Sequence, residues 1–264
     1  MNPIHERTQT VQQQGGKAFV PYVMAGDPSL EKLPEQLLFL QEAGATCIEV
    51  GIPFSDPVAD GPTIQAAGIR ALAAGVTTEK VFQTLDGVKE ELNTPLLLMV
   101  YTNTLFAYGV DAFLERANAV GVSGLIVPDL PYEEESLLSN AIEKEGLILI
   151  RLVTLTSPDS RVEMVTKEAK GFLYAVTVKG TTGAREGFPI EELQQFADRI
   201  RNVSNLPVYA GFGISTPVHV QEMTNIFDGV IVGSKIVQSF HEGDLDTIQE
   251  LITGTGTPRI LSKK

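Results

Sequence analysis

Short apolar runs rich in β-branched residues recur along the chain, each followed by Gly, Pro, Ser or Asp and then by a longer stretch whose apolar positions return at helical spacing. Eight of these runs read as strands, at residues 19–25, 47–51, 96–101, 124–127, 147–153, 172–178, 207–210 and 229–232. Their near-continuous hydrophobicity, as in CIEVGI and LLLMVY, suits parallel strands covered on both faces. Helical spacing follows at 30–43, 79–92, 111–120, 133–144, 160–169, 190–202 and 216–225, with an additional helix at 63–74 after the second strand. Ser157-Pro158 and Ser215-Thr216-Pro217 each place a hydroxyl and a proline at a helix start, where the missing N–H costs nothing.

Eight strand–helix units of this size predict an α/β fold, a single (β/α)₈ TIM barrel domain over residues 1–264 with an extra helix after strand two. Residues 1–16 form a polar, glutamine-rich arm. A doubly wound open sheet is the alternative, although no G-x-G-x-x-G follows the first strand. Pro21 lacks a ladder donor, so it is expected at a strand start or a bulge.

Composition narrows the partners. Lys+Arg 20 against Asp+Glu 33, a net charge of -13, argues against nucleic acid and anionic membranes. Cys47 is the one cysteine, so no internal disulfide or thiolate metal site is expected. No run approaches a membrane span and residues 1–16 do not resemble a signal peptide, so the expectation is a cytoplasmic protein.

In a barrel, chemistry collects at the C-terminal strand ends. His5, His219 and His241 lie away from them, which leaves carboxylates and a tyrosine for acid–base work. Glu49 interrupts an apolar strand, and alternation puts it on one face with Cys47 and Gly51. Facing the barrel mouth, it would have its pKa raised by burial. Asp60, in a polar, proline-bounded loop, is either a cap for the helix begun by Pro62 or a second functional carboxylate that stays ionised. Asp129 carries the same ambiguity, and Glu49, Asp56, Asp60 and Asp129 together are a conceivable oxygen-only Mg²⁺ set that no spacing supports. Tyr174 is either a core aromatic or a hydroxyl aimed at the site. Glycines and hydroxyls after strands six to eight, 179–187, 211–215 and 233–235, suit an anion held by backbone N–H groups. Lys179 keeps open a Schiff-base aldolase, and a barrel that only binds a phosphorylated metabolite is a further alternative.

Residues 49–65, EVGIPFSDPVADGPTIQ, resemble the signature of the tryptophan synthase alpha chain family. Pro21-Tyr22, Gly26-Asp27-Pro28, Tyr101 with Asn103, Pro128-Asp129-Leu130-Pro131, Thr182-Gly183, Gly211-Phe212-Gly213-Ile214-Ser215 and Gly233-Ser234 follow in the family's order, over residues 19–237. The resemblance implies a lyase that cleaves indole-3-glycerol phosphate into indole and glyceraldehyde 3-phosphate. It implies an acid–base role for Glu49, an indole-orienting role for Asp60 and a site position for Tyr174. Tyr22, Tyr101, Ile126, Asp129 and Phe212 match the indole pocket; Thr182, Gly183, Gly213, Gly233 and Ser234 match the substrate and phosphate contacts. No metal or cofactor is implied in this chain. Pyridoxal phosphate belongs to the partner beta chain, in an α₂β₂ heterotetramer whose beta chain meets residues 53–56, Asn103 and Pro131.

Overall fold

The computed structural model describes residues 2–177, 189–211 and 213–256. Its strands are β1 (Ala18–Met24), β2 (Ile48–Gly51), β3 (Leu96–Met99), β4 (Val122–Ile126), β5 (Ile148–Leu149), β6 (Arg151–Thr154), β7 (Leu173–Val176), β8 (Val208–Gly211) and β9 (Gly229–Val232). The helices are α1 (Pro3–Gln13), α2 (Leu33–Ala43), α3 (Pro62–Ala73), α4 (Thr78–Val88), α5 (Thr102–Tyr108), α6 (Val110–Ala119), α7 (Ser136–Lys144), α8 (Asp159–Thr166), α9 (Ile190–Arg201), α10 (Pro217–Ile226), α11 (Ser234–Glu242) and α12 (Leu245–Thr253). All ladders are parallel, in the order β5-β4-β3-β2-β1-β9-β8-β7-β6. This is the α/β TIM barrel that the periodicity predicts.

The expected fifth strand is broken. Its halves, β5 and β6, end the ladder order on opposite sides, and the chain running through Ile150 closes the ring. The Ile150 N–H still donates to Leu125 O at 2.9 Å, so the break costs no buried donor. Pro21 lies inside β1, neither at its start nor at a bulge. It sits where pairing passes from β9, which takes Ala18 to Pro21, to β2, which takes Tyr22 to Met24. A missing N–H is tolerated at that handover. Val178, the end of the expected sixth strand, lies outside the described residues.

Two apolar layers hold the barrel. Between sheet and helices lie residues such as Val23, Val50, Leu98 and Leu125; inside the ring lie Val20, Cys47, Leu97, Ile126, Phe172 and Tyr209. Ile4 and Val11 belong to the inner cluster. The segment read as a polar arm therefore contains a helix that closes the barrel floor. Asn2 caps it through the Ile4 N–H, while its amide donates to Ser123 O and Gly146 O at 2.9 and 3.0 Å. Gly124 makes this possible, because a Cβ there would collide with Ile4. The Thr216 hydroxyl caps α10 as expected, accepting from His219 N–H, but Ser157 turns back to Thr154 and leaves α8 without a side-chain cap. No helix among the described residues is long and apolar enough to cross a membrane.

Candidate active site

At the C-terminal ends of the strands the ring opens into a cavity of about 480 Å³. Tyr22, Glu49, Asp60, Ile126, Tyr174, Gly213, Gly233 and Ser234, all singled out from sequence, line it together. Thr182, Gly183 and Phe212, with Lys179, lie outside the described residues.

Glu49 follows from alternation on β2. It is 1% exposed, and its Oε2 has no hydrogen-bond partner among the described residues. Burial pushes its pKa up to about 8, with the nearby Asp60 charge adding to the effect. A buried carboxyl oxygen without a partner among the described residues, in a cavity wall, is an exception to the usual pairing of buried polar groups.

Asp60 is not a helix cap. The cap position of α3 is Gly61, which makes no side-chain bond, and Asp60 folds inward to 6% exposure. Its loop is less solvated than its polar sequence suggests. Burial raises Asp60 to about 6, opposed by a hydrogen bond from Tyr101, so at neutral pH the carboxylate is mostly ionised, as expected. The Tyr101 hydroxyl also accepts from the Ala59 N–H at 3.1 Å, which fixes the backbone next to Asp60. Tyr101 and Asp129 stand behind the cavity wall. Asp129 Oδ1 accepts from the Thr102 N–H and hydroxyl at 2.9 and 3.0 Å, holding the start of α5 beside Tyr101.

The two cavity tyrosines are seated on glycines of the next strand. Burial, then the charges of the two carboxylates, keep both phenols well above their ordinary pKa, hence protonated. A Cβ at Gly51 would run into the Tyr22 hydroxyl, and one at Gly211 into the Tyr174 ring. Gly51→Ala is therefore expected to destabilise the chain by about 1–3 kcal/mol and to raise KM, because Tyr22 must turn into the cavity. Denaturant midpoints and initial rates check this; adding Tyr22→Phe should recover part of both losses.

The other polar end is built on backbone. Gly213 has φ +79°, which favours glycine, and Gly233 precedes α11 without a side-chain cap, so the first-turn N–H groups of that helix are available to an anion. Met99, Leu152, Thr154, Val176 and Ile231 also line the cavity and were not singled out from sequence. Their alternation with outward residues on β3, β6, β7 and β9 is the signal that finds them.

No group of three or more His, Cys, Asp or Glu side chains converges among the described residues. Asp56 takes the Ser55 hydroxyl at 2.5 Å and Asp129 is engaged at α5, so the four acids do not form an oxygen cage. Cys47 is buried and its thiol is pushed up to about 12. The site thus combines two carboxylates of different proton affinity, apolar walls and an anion-accepting helix start.

A family model, the tryptophan synthase alpha chain, matches residues 8–257. The chain belongs to the tryptophan synthase alpha chain family. The alpha chain of Bacillus cereus is 50% identical over 250 residues, 95% of this chain and 96% of the relative. That of Bacillus anthracis is 49% identical with the same coverage. Among solved structures, Mycobacterium tuberculosis tryptophan synthase superposes with TM-score 0.89 at 31% identity, covering 98% of each chain. Tryptophan synthase subunit alpha from Legionella pneumophila gives 0.86 at 32% identity, covering 97% of each. The reaction of the tryptophan synthase alpha chain family is the cleavage of indole-3-glycerol phosphate, a carbon–carbon lyase step of tryptophan biosynthesis.

Proposed function

We propose that the chain performs this cleavage in the barrel-mouth cavity, with Glu49 as the acid–base group and Asp60 as the anion beside the indole nitrogen. The observation that carries the proposal is the buried Glu49 Oε2, which has no hydrogen-bond partner among the described residues and lies in the same cavity as Asp60. Retro-aldol cleavage needs a proton on indole C3, loss of the proton from the adjacent C3′ hydroxyl, and stabilisation of the cationic indolenine formed in between. Glu49, protonated near neutral pH, gives its proton to C3. As the C3–C3′ bond breaks, the carboxylate so formed takes the hydroxyl proton, which returns Glu49 to its starting state. Ionised Asp60 offsets the positive charge on the nitrogen.

Tyr22, Ile126 and Tyr174 flank the ring, Tyr101 and Asp129 brace the wall behind Asp60, and Gly213, Gly233 and Ser234 hold the phosphate through backbone N–H groups, completed by Phe212, Thr182 and Gly183. No cofactor is needed in this chain for these steps. The reading includes a cytoplasmic α₂β₂ assembly whose beta chain carries pyridoxal phosphate. Residues 53–56, Asn103 and Pro131 lie on the loop side of the barrel, where Phe54 stacks on Tyr101 at 5.1 Å and Val58 and Phe106 are exposed. Docking there would press on the Asp60 wall and exclude water from the cavity.

The test is indole release from indole-3-glycerol phosphate by the purified chain, alone and with a beta chain. Turnover that rises with the beta chain is expected; no indole in either case overturns the proposal. Borohydride added during turnover should trap nothing, whereas an adduct on Lys179 would place the chain with Schiff-base aldolases.

A further inference from the structure

We propose that the Lys235 side chain contacts the phosphate of the substrate, adding a full positive charge to the backbone cradle. This deepens the preceding reading and rests on it. Lys235 is the second residue of α11, directly after Ser234, and lines the cavity alongside Gly213, Ser215 and Gly233. It is the only Lys or Arg among the described residues that line this cavity.

The charge balance calls for such a group. The cavity already holds the ionised carboxylate of Asp60, beside Glu49 and two phenols that carry no charge near neutral pH, in a chain of net charge -13. A phosphate dianion entering this wall meets repulsion that a helix start, equivalent to about half a charge, only partly offsets. An ammonium on a flexible four-carbon stem supplies the rest and can follow the phosphate as it seats. Lys235 is half-buried and forms no ion pair with a described residue. The charge of Lys235 is felt at Asp244, whose pKa is lowered chiefly by hydrogen bonds from Thr247 and to a smaller extent by Lys235. That carboxylate is committed to α12, accepting from the Thr247 N–H at 3.1 Å and the Thr247 hydroxyl at 2.6 Å. Lys235 thus lines the cavity without an ion-pair partner among the described residues.

Two uncleaved probes test this by calorimetry: an indolylpropyl phosphate and the corresponding indolylpropanol, which lacks only the phosphate. Lys235→Gln should weaken the phosphate probe roughly tenfold to a hundredfold, the range of one charge-assisted contact, and flatten the salt dependence of its binding. The preference for phosphate over alcohol should fall by the same factor, and Lys235→Arg should restore most of it. Equal weakening of both probes would make Lys235 a structural residue, and an unchanged phosphate affinity would remove it from the site; either result overturns the proposal. Since neither probe reacts, a wild-type chain that binds them but releases no indole would undo the catalytic reading separately.

Discussion

Glu49→Gln is expected to lower turnover by roughly a thousandfold or more, with substrate still bound. The amide keeps the shape and a hydrogen-bonding oxygen at Oε1 but carries no transferable proton, so both the protonation of C3 and the removal of the hydroxyl proton lose their agent. Single-turnover rates on saturated protein isolate that loss from binding. A variant that kept more than about a tenth of wild-type turnover would remove Glu49 from the acid–base role.

The same variant should gain stability at high pH. Wild-type Glu49 has a folded pKa raised to about 8 against an ordinary value of 4.5. Between those values the folded chain holds a proton that the unfolded chain has released, so stability falls as pH rises through this window. The full penalty, of the order of a few kcal/mol, is reached above pH 8. Glutamine carries none of it. The Tm difference between Glu49→Gln and wild type should be near zero at pH 4 to 5 and reach roughly 5–10 °C by pH 8.5. The two results together, higher stability and lost turnover in one variant, would place Glu49 under functional rather than structural constraint.

The barrel was legible because buried parallel strands write their burial on both faces directly into the sequence, and Gly, Pro and Asp mark where each ends. The ninth strand segment was not, since the turn-formers that would announce a break at Ile150 are absent from LILIRLV. The floor helix was hidden by composition: only Ile4, Thr8 and Val11 of α1 are buried, too few to raise the segment above its glutamines, although their spacing and the Asn2-Pro3 cap were visible. Glu49 announced itself as a charge inside an apolar strand. Asp60 did not, because a cap and a buried carboxylate look alike from spacing; only the inward fold of its loop and the Tyr101 hydrogen bond separate them. Tyr101 and Asp129 show the reverse limit. Residues that hold a wall and residues that face the cavity share the same strand ends, and a sequence does not say which side of the wall a side chain takes.

Asp60→Asn should also reduce turnover heavily, by about a hundredfold, through a different physical step. The cation on the indole nitrogen exists only after C3 is protonated, so the ionised carboxylate stabilises the transition state more than the bound substrate. Its loss should appear in kcat with a smaller change in KM. The pH profile separates the two carboxylates. Wild-type kcat/KM should fall below an apparent pKa near 6, as Asp60 takes up a proton, and above one near 8, as Glu49 loses its own. Asparagine cannot titrate, so the acidic limb should disappear. The basic limb should persist but move to lower pH, because the Asp60 charge is one of the two causes that raise Glu49. An Asp60→Asn profile that kept its acidic limb would assign that limb elsewhere, and a basic limb that stayed fixed would show that the two carboxylates do not sense each other across the cavity.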